Sequence, residues 1–495
     1  MKNSIRKIIV VCITLGFFGC GDDYFDVNTP TGSATEDQVS MNDLLGPAIY
    51  HTVQAQYFAE RVFGNYTQYF TFQGGGSEGP SSLESTWSNI YLEALPNLNT
   101  IIAKAEETNS NHFSGVAKVL IAANLGIATD SYENIPFSEA SQGSENLKPI
   151  FDDQESIYAS LNVLLDEAIA ELGTDNGSEF SPTSTSDIAY RGDIDKWLRA
   201  AYTLKARYAL HLTEVDGVSA AAAALTYIQN GFESNDDDLQ IFYDERNLNP
   251  WHARQVLAPN TGNPHDKICD QLVSYMNGTF YPFAGALEID PRLPLYADLD
   301  SDADPSDPFR GYDIGAAGLS SDGEDANTDF ADSGFYTKLD SPIVIISYAE
   351  AMFIQAEAEF LVNGGNETSV GSNSAAYNAY LTGITANMEK LGADGADYIA
   401  DTGIAVGEAS LMLNHIMKEK YIANFLNPET FVDFRRYDFS ADVFLGLALP
   451  IDSVEGQFPG EWLVRAQYPN TEETRNPDNV NANKQSPIVP VWWDR

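Results

Sequence analysis

In this chain apolar residues recur every three or four positions, segment after segment, and large side chains alternate with alanine. Leu44, Leu45, Ala48, Ile49 and Val53 start the pattern, and Trp87, Ile90, Tyr91, Ala94, Leu98 and Ile101 continue it. It returns over 113–129, over 155–172 and over 194–212, where Trp197, Ala200, Leu204 and Tyr208 share one face. An alanine-rich stretch at 219–229 follows. This period matches the turn of an α-helix, so each segment predicts an amphipathic helix with one buried face. Small residues among large ones let neighbouring helices approach, so the helices are expected in pairs.

Paired helices in series predict a mainly α architecture with tetratricopeptide-like stacking. The pattern breaks over 231–342, where Gly, Pro, Asp and Asn are frequent and aromatics are scattered. That stretch reads as a loop-rich insert with a few short strands. Helices resume over 343–361, 375–391 and 411–426, and 437–495 is again mostly irregular. Long irregular segments inside a compact protein are often functional.

The beginning of the chain has a different character. Lys2, Arg6 and Lys7 lead into an apolar run over 8–18, then Gly19, Cys20 and the acids Asp22 and Asp23. The run is too short to span a bilayer and has the size of a signal-peptide core. Residues 1–19 are therefore expected as a signal peptide, and cleavage before Cys20 would leave a lipidated cysteine, anchored to a membrane without spanning it. Residues 20–40 read as a polar tether. Cys12 lies in the leader and Cys269 stands alone, so an acylated Cys20 leaves no disulfide framework. The net charge is −45, from 27 basic and 72 acidic residues. Such a field repels nucleic acid and disfavours polyanionic ligands.

Several motifs, in order along the chain, resemble those of the SusD/RagB outer-membrane nutrient-binding lipoproteins. Phe25-Asp26-Val27-Asn28 follows the cysteine, and Thr129-Asp130-Ser131-Tyr132-Glu133-Asn134-Ile135-Pro136 is similar to the family's TDxYGDIP, with Glu133 in the glycine's place. Lys148-Pro149 with Asp152, Gln154 and Glu155 resembles KPxYDxQE. Leu204-Lys205-Ala206-Arg207, Asp290-Pro291-Arg292-Leu293, Tyr348-Ala349-Glu350 with Glu357, and Lys420-Tyr421 with Asp433, Arg435 and Arg436 resemble further family elements. The terminal Val491-Trp492-Trp493-Asp494 resembles the ending of one subgroup. The resemblance implies one SusD-like domain over 41–495, with helix pairs over 41–230 and 343–426 forming a right-handed superhelical scaffold. It also implies that the insert faces the ligand, that the protein sits lipid-anchored on the outer membrane facing out, and that a SusC-like TonB-dependent transporter is its partner. Acids directly after the lipid cysteine resemble a surface-export signal of that phylum.

No catalytic arrangement stands out. The six histidines are dispersed, and there is no phosphate loop. The expected activity is binding of an oligosaccharide or polysaccharide, a neutral one given the charge, with no cofactor; a peptide or other nutrient is the alternative ligand. Sugar binding needs flat aromatic faces beside amide, carboxylate or guanidinium groups. Two stretches supply that mixture: Asn65, Tyr66, Tyr69, Phe72 and Gln73 after the first helix, and Trp251 with Arg254, followed by Tyr281 and Phe283. Tyr312 and Tyr336 form a third set, while Trp87 and Trp197 fall on helical stripes and are assigned to the core. Asp300, Asp302 and Asp304 alternate along an acidic run and are the candidates for calcium.

Overall fold

A computed structural model of the protein describes residues 38–72, 76–174, 177–454 and 456–495. The expected leader, Cys20 and most of the tether lie outside the described residues, as does Gln73. Helix α1 (Met41–Tyr66) begins at a capping box, with the Asp43 amide donating to Ser40 and the Ser40 amide donating to Asp43. Helix α2 (Glu84–Ser88) runs through a π-helical turn (Asn89–Ala94) into α3 (Leu95–Glu107). Then come α4 (Asn111–Tyr132), α5 (Gln154–Leu172), α6 (Ile194–His211) and α7 (Val218–Ile228). Beyond the insert lie α8 (Tyr348–Val362), α9 (Ser374–Leu391), α10 (Leu413–Ala423) and α11 (Glu429–Arg436).

The helices pack as α1 on α3, α4 on α5, α6 on α7 and α8 on α9. Each pair also packs on the next, through α3 on α4, α5 on α6 and α7 on α8. The last of these contacts closes the scaffold across the whole insert. The stacking works because small residues sit at the crossings. A Cβ on Gly115 of α4 would stand 2.7 Å from the Leu172 side chain of α5. Helix α4 is apolar enough to cross a membrane by composition, but it is the scaffold's central helix and 89% of its apolar window is buried.

The insert contributes three small antiparallel pairs. β1 (Phe70–Phe72) pairs with β3 (Asp266–Ile268), β2 (Leu239–Ile241) with β6 (Ile343–Ile346), and β4 (Ala297–Leu299) with β5 (Thr328–Phe330). The helix expected over 343–361 therefore starts only at Tyr348, where Ser347 accepts the Glu350 amide. Ile343-Val344-Ile345-Ile346 is a β-branched run, which suits a strand. Helix α11 falls outside the expected helices: half of its eight residues, Glu429, Asp433, Arg435 and Arg436, are charged, and all four are buried.

Those charged residues belong to a buried ionic network. Arg207 of α6 grips Glu350 of α8 with two hydrogen bonds of 2.7 Å and donates to the Ile345 carbonyl. Glu357 of α8 accepts from Lys420 of α10 and from Arg436 of α11, and both cations also reach Asp433. In the insert, Arg292 pairs with Asp290 and Glu419, all three fully buried. Burial alone would raise Glu357, but Arg436 and Lys420 outweigh it and hold its pKa at about 2. The motif residues thus tie helices to one another. Glu133 belongs with them: it ends α4 at φ 74°, and its carboxylate binds Arg465 and Arg495 at 2.7 Å each.

Candidate functional site

The segment after α1 is folded back on the helix end. Thr67 ends the helix, Gln68 takes φ 58°, and the Tyr69 amide returns to the Gly64 carbonyl. Phe70 then lies so close over the helix that a Cβ on Gly64 would meet its ring at 2.2 Å. Next, the loop around residues 76–80 hangs from α1 by two side chains. Asn65 accepts the Glu78 amide at 2.7 Å, and the Tyr66 hydroxyl donates to the Gly79 carbonyl at 2.8 Å. From the other side the C-terminal segment holds the same loop, with Asp452 accepting the Ser77 amide at 2.9 Å, and holds the turn after α1, with Gln68 donating to the Ala448 carbonyl.

Between the loop and the chain end lies a cleft of about 90 Å³. Asn65, Tyr66, Glu78, Phe458, Glu461 and Trp462 line it. Trp462 stacks flat on Phe439, with ring centroids 4.5 Å apart and planes 6° from parallel, so its orientation is fixed. Partial burial raises the Glu78 carboxyl, and neighbouring Asp266 adds to this, while Arg254 and Arg61 pull it back down. The cleft therefore offers a fixed aromatic surface beside two carboxylates and the amide of Gln457.

Of the residues singled out from the sequence, Asn65 and Tyr66 line this cleft, and both also build it. Phe72 is exposed on β1, and Tyr312 is half-buried with its hydroxyl toward Asp300. The structure places the others in packing contacts and ion pairs, Arg254 and Phe283 part-buried. Trp251 is 2% exposed, edge-on to Tyr57 at 4.9 Å and stacked over Phe330 at 6.5 Å. Tyr69 is fully buried, parallel to Tyr421, with its hydroxyl donating to the Tyr421 carbonyl. Tyr281 donates to the Asn414 carbonyl, and Tyr336 packs on Phe425. Phe283 packs against Tyr398. The Arg254 guanidinium is held by Asp266 through two bonds. The insert lacks long apolar stripes, so these rings supply the buried area that holds it to α1 and α10.

The acids expected to hold calcium do not converge. Asp300 takes the Lys267 ammonium at 2.6 Å, and Asp304 accepts the Ser306 amide and hydroxyl of its own turn. Among the described residues no group of three or more His, Cys, Asp or Glu could hold a metal ion. The residues missed from the sequence are Gln457, Phe458, Glu461 and Trp462. Their signal was two aromatics around a Pro459-Gly460 turn inside an irregular tail.

The model of a family described as SusD-like, starch-binding associating with outer membrane, matches residues 33–452. The chain belongs to the SusD-like family. Members of this family are binding proteins, not enzymes, and this family is associated with the outer membrane. A chitin-binding protein of solved structure superposes with TM-score 0.72 at 22% identity, covering 92% of this chain and 100% of that one. A SusD/RagB family protein from Bacteroides thetaiotaomicron gives 0.70 at 22% identity, with 92% and 99% covered. A chitin-binding SusD homolog from Flavobacterium johnsoniae gives 0.70 at 21% identity, with 92% and 98% covered. No curated protein matches the chain. These likenesses show the SusD-like fold.

Proposed function

We propose that this SusD-like protein captures a neutral oligo- or polysaccharide in the cleft between the 76–80 loop and Trp462 and passes it to a SusC-like TonB-dependent transporter. In this reading Cys20 carries the lipid and the cleft faces the exterior. The observation that carries the reading is the Trp462 ring, fixed by Phe439 and lining a cleft with Glu78, Glu461 and Gln457. A pyranose presents a CH face that stacks on an indole and hydroxyls that donate to carboxylates and exchange with an amide. The net charge of −45 selects against anionic glycans. The chitin-binding relatives and the starch-binding family description name the first two glycans to try.

The two carboxylates also suit a cationic peptide, and one experiment separates the readings. Affinity electrophoresis against starch, soluble chitin derivatives and uronate-rich polysaccharides should show retardation by a neutral polymer that Trp462→Ala abolishes. Retardation only by anionic polymers, or full binding by Trp462→Ala, overturns the reading. Binding of basic peptides with no glycan bound points to the peptide.

A further inference from the structure

A second and larger cleft adjoins the first. It has a volume of about 450 Å³, and Pro80 lines both. The Gln467 amide donates to the Ser81 carbonyl at 2.9 Å, so the wall between the clefts is tied to the chain end. Its inner walls are rigid and have their polar groups occupied. The Tyr132 hydroxyl donates to the Ser82 carbonyl, the Tyr468 hydroxyl to the Asn134 carbonyl, and Arg465 to Glu133 and two backbone carbonyls. Tyr132 and Tyr468 lie parallel, 5.9 Å apart.

The remaining lining groups have capacity to spare. The side-chain amides of Gln467, Asn470 and Gln485 have no protein partner among the described residues. Glu473 and Lys484 face each other loosely at 3.8 Å, both about half exposed. An amide donates and accepts at once, as a hydroxyl does. A carboxylate beside an ammonium presents acceptor and donor together with no net charge. This is chemistry for a neutral, many-hydroxyl ligand.

Resting on the glycan reading of the first cleft, we propose that this second cleft is a subsite for further sugars of the same linear chain, which crosses Pro80 between the two. The ligand is then an extended glycan, and affinity grows with chain length. Gln467, Asn470 and Gln485 are all exposed, so replacing them leaves the fold intact. Calorimetric titration should compare the wild-type protein with the combined Gln467→Ala, Asn470→Ala and Gln485→Ala variant, using chito- and malto-oligosaccharides from disaccharide to octasaccharide. Wild-type affinity should climb with length in the series that binds. The variant should match wild type on the short ligands and lose about tenfold on the long ones, three modest hydrogen bonds' worth. Equal affinities at every length overturn the subsite and leave the glycan reading standing. Wild-type protein that binds neither series in any length overturns both.

Discussion

Trp251 and Trp462 are the same residue type set in irregular chain, and the structure gives them opposite duties. Trp251 follows Asn249-Pro250, where Asn249 accepts its amide at 2.7 Å, and its ring is enclosed by Tyr57, Phe70 and Phe330. Trp462 has one neighbour fixing it and a cleft beside it. Trp251→Ala removes a fully packed indole and should cost about 3–5 kcal/mol, read as a lower urea midpoint. An unchanged midpoint would mean that the ring is not in the core. The sequence places both residues in loop-like surroundings but does not show what encloses them. Tyr57 and Phe330 come from opposite sides of the Trp251 position in the chain, so its burial is a product of the tertiary fold. Asn65 and Tyr66 were legible as an amide and an aromatic in one stretch, although they close the first helix and do not follow it.

At the scale of elements, the helix pairs were legible and the ties between them were not. The 3.6-residue period reveals which face of a helix is apolar. It cannot reveal that Arg207, Glu350, Lys420 and Arg436 turn inward, because charged residues are rarely buried unless paired. His211 is the most pH-sensitive of these ties. It bonds Glu429 of α11 at 2.7 Å and Tyr158 of α5 at 2.9 Å, with Asp130 of α4 close by. Burial would lower its pKa, but Glu429 and Asp130 outweigh that and raise it from 6.5 to about 9. A raised histidine stabilises fully below its unfolded value and loses that contribution as pH climbs through the folded one. Wild-type protein should therefore exceed His211→Gln in stability by about 1.5–3 kcal/mol below pH 6.5, and the gap should close by about pH 9. Glu429, held at about 2 by His211 and Arg207 against the effect of burial, keeps its charge throughout that window. A gap that is constant from pH 6 to pH 9 would show that His211 acts by packing alone.

For the whole molecule, the network leaves the charge imbalance of the composition on the surface. The chain has 27 basic residues against 72 acidic ones. Arg207, Arg292, Arg435, Arg436, Arg465, Lys418 and Lys420 are all buried. Their partners Asp290, Glu350, Glu357, Glu419, Glu429 and Asp433 are buried with them, so the surface keeps the composition's excess of acid and repels itself. Buried pairs are shielded from dissolved ions, whereas exposed like charges are screened. Sodium chloride should consequently stabilise the fold, as a rising urea midpoint at constant slope. The Debye length falls from about 30 Å at 0.01 M to about 10 Å at 0.1 M and about 3 Å at 1 M. Screening of the surface field should therefore deliver most of its gain in the first tenfold step, where long-range repulsion disappears. A gain that arrives only near molar salt would indicate exclusion of salt from apolar surface instead. A falling midpoint would mean that exposed attractions such as Arg246–Asp244 and Lys484–Glu473 outweigh the repulsion. The same experiment bears on the ligand. A neutral glycan should bind with an affinity nearly independent of salt, since no charge is neutralised on binding, while a cationic peptide drawn by the acidic field should weaken steadily as salt is added.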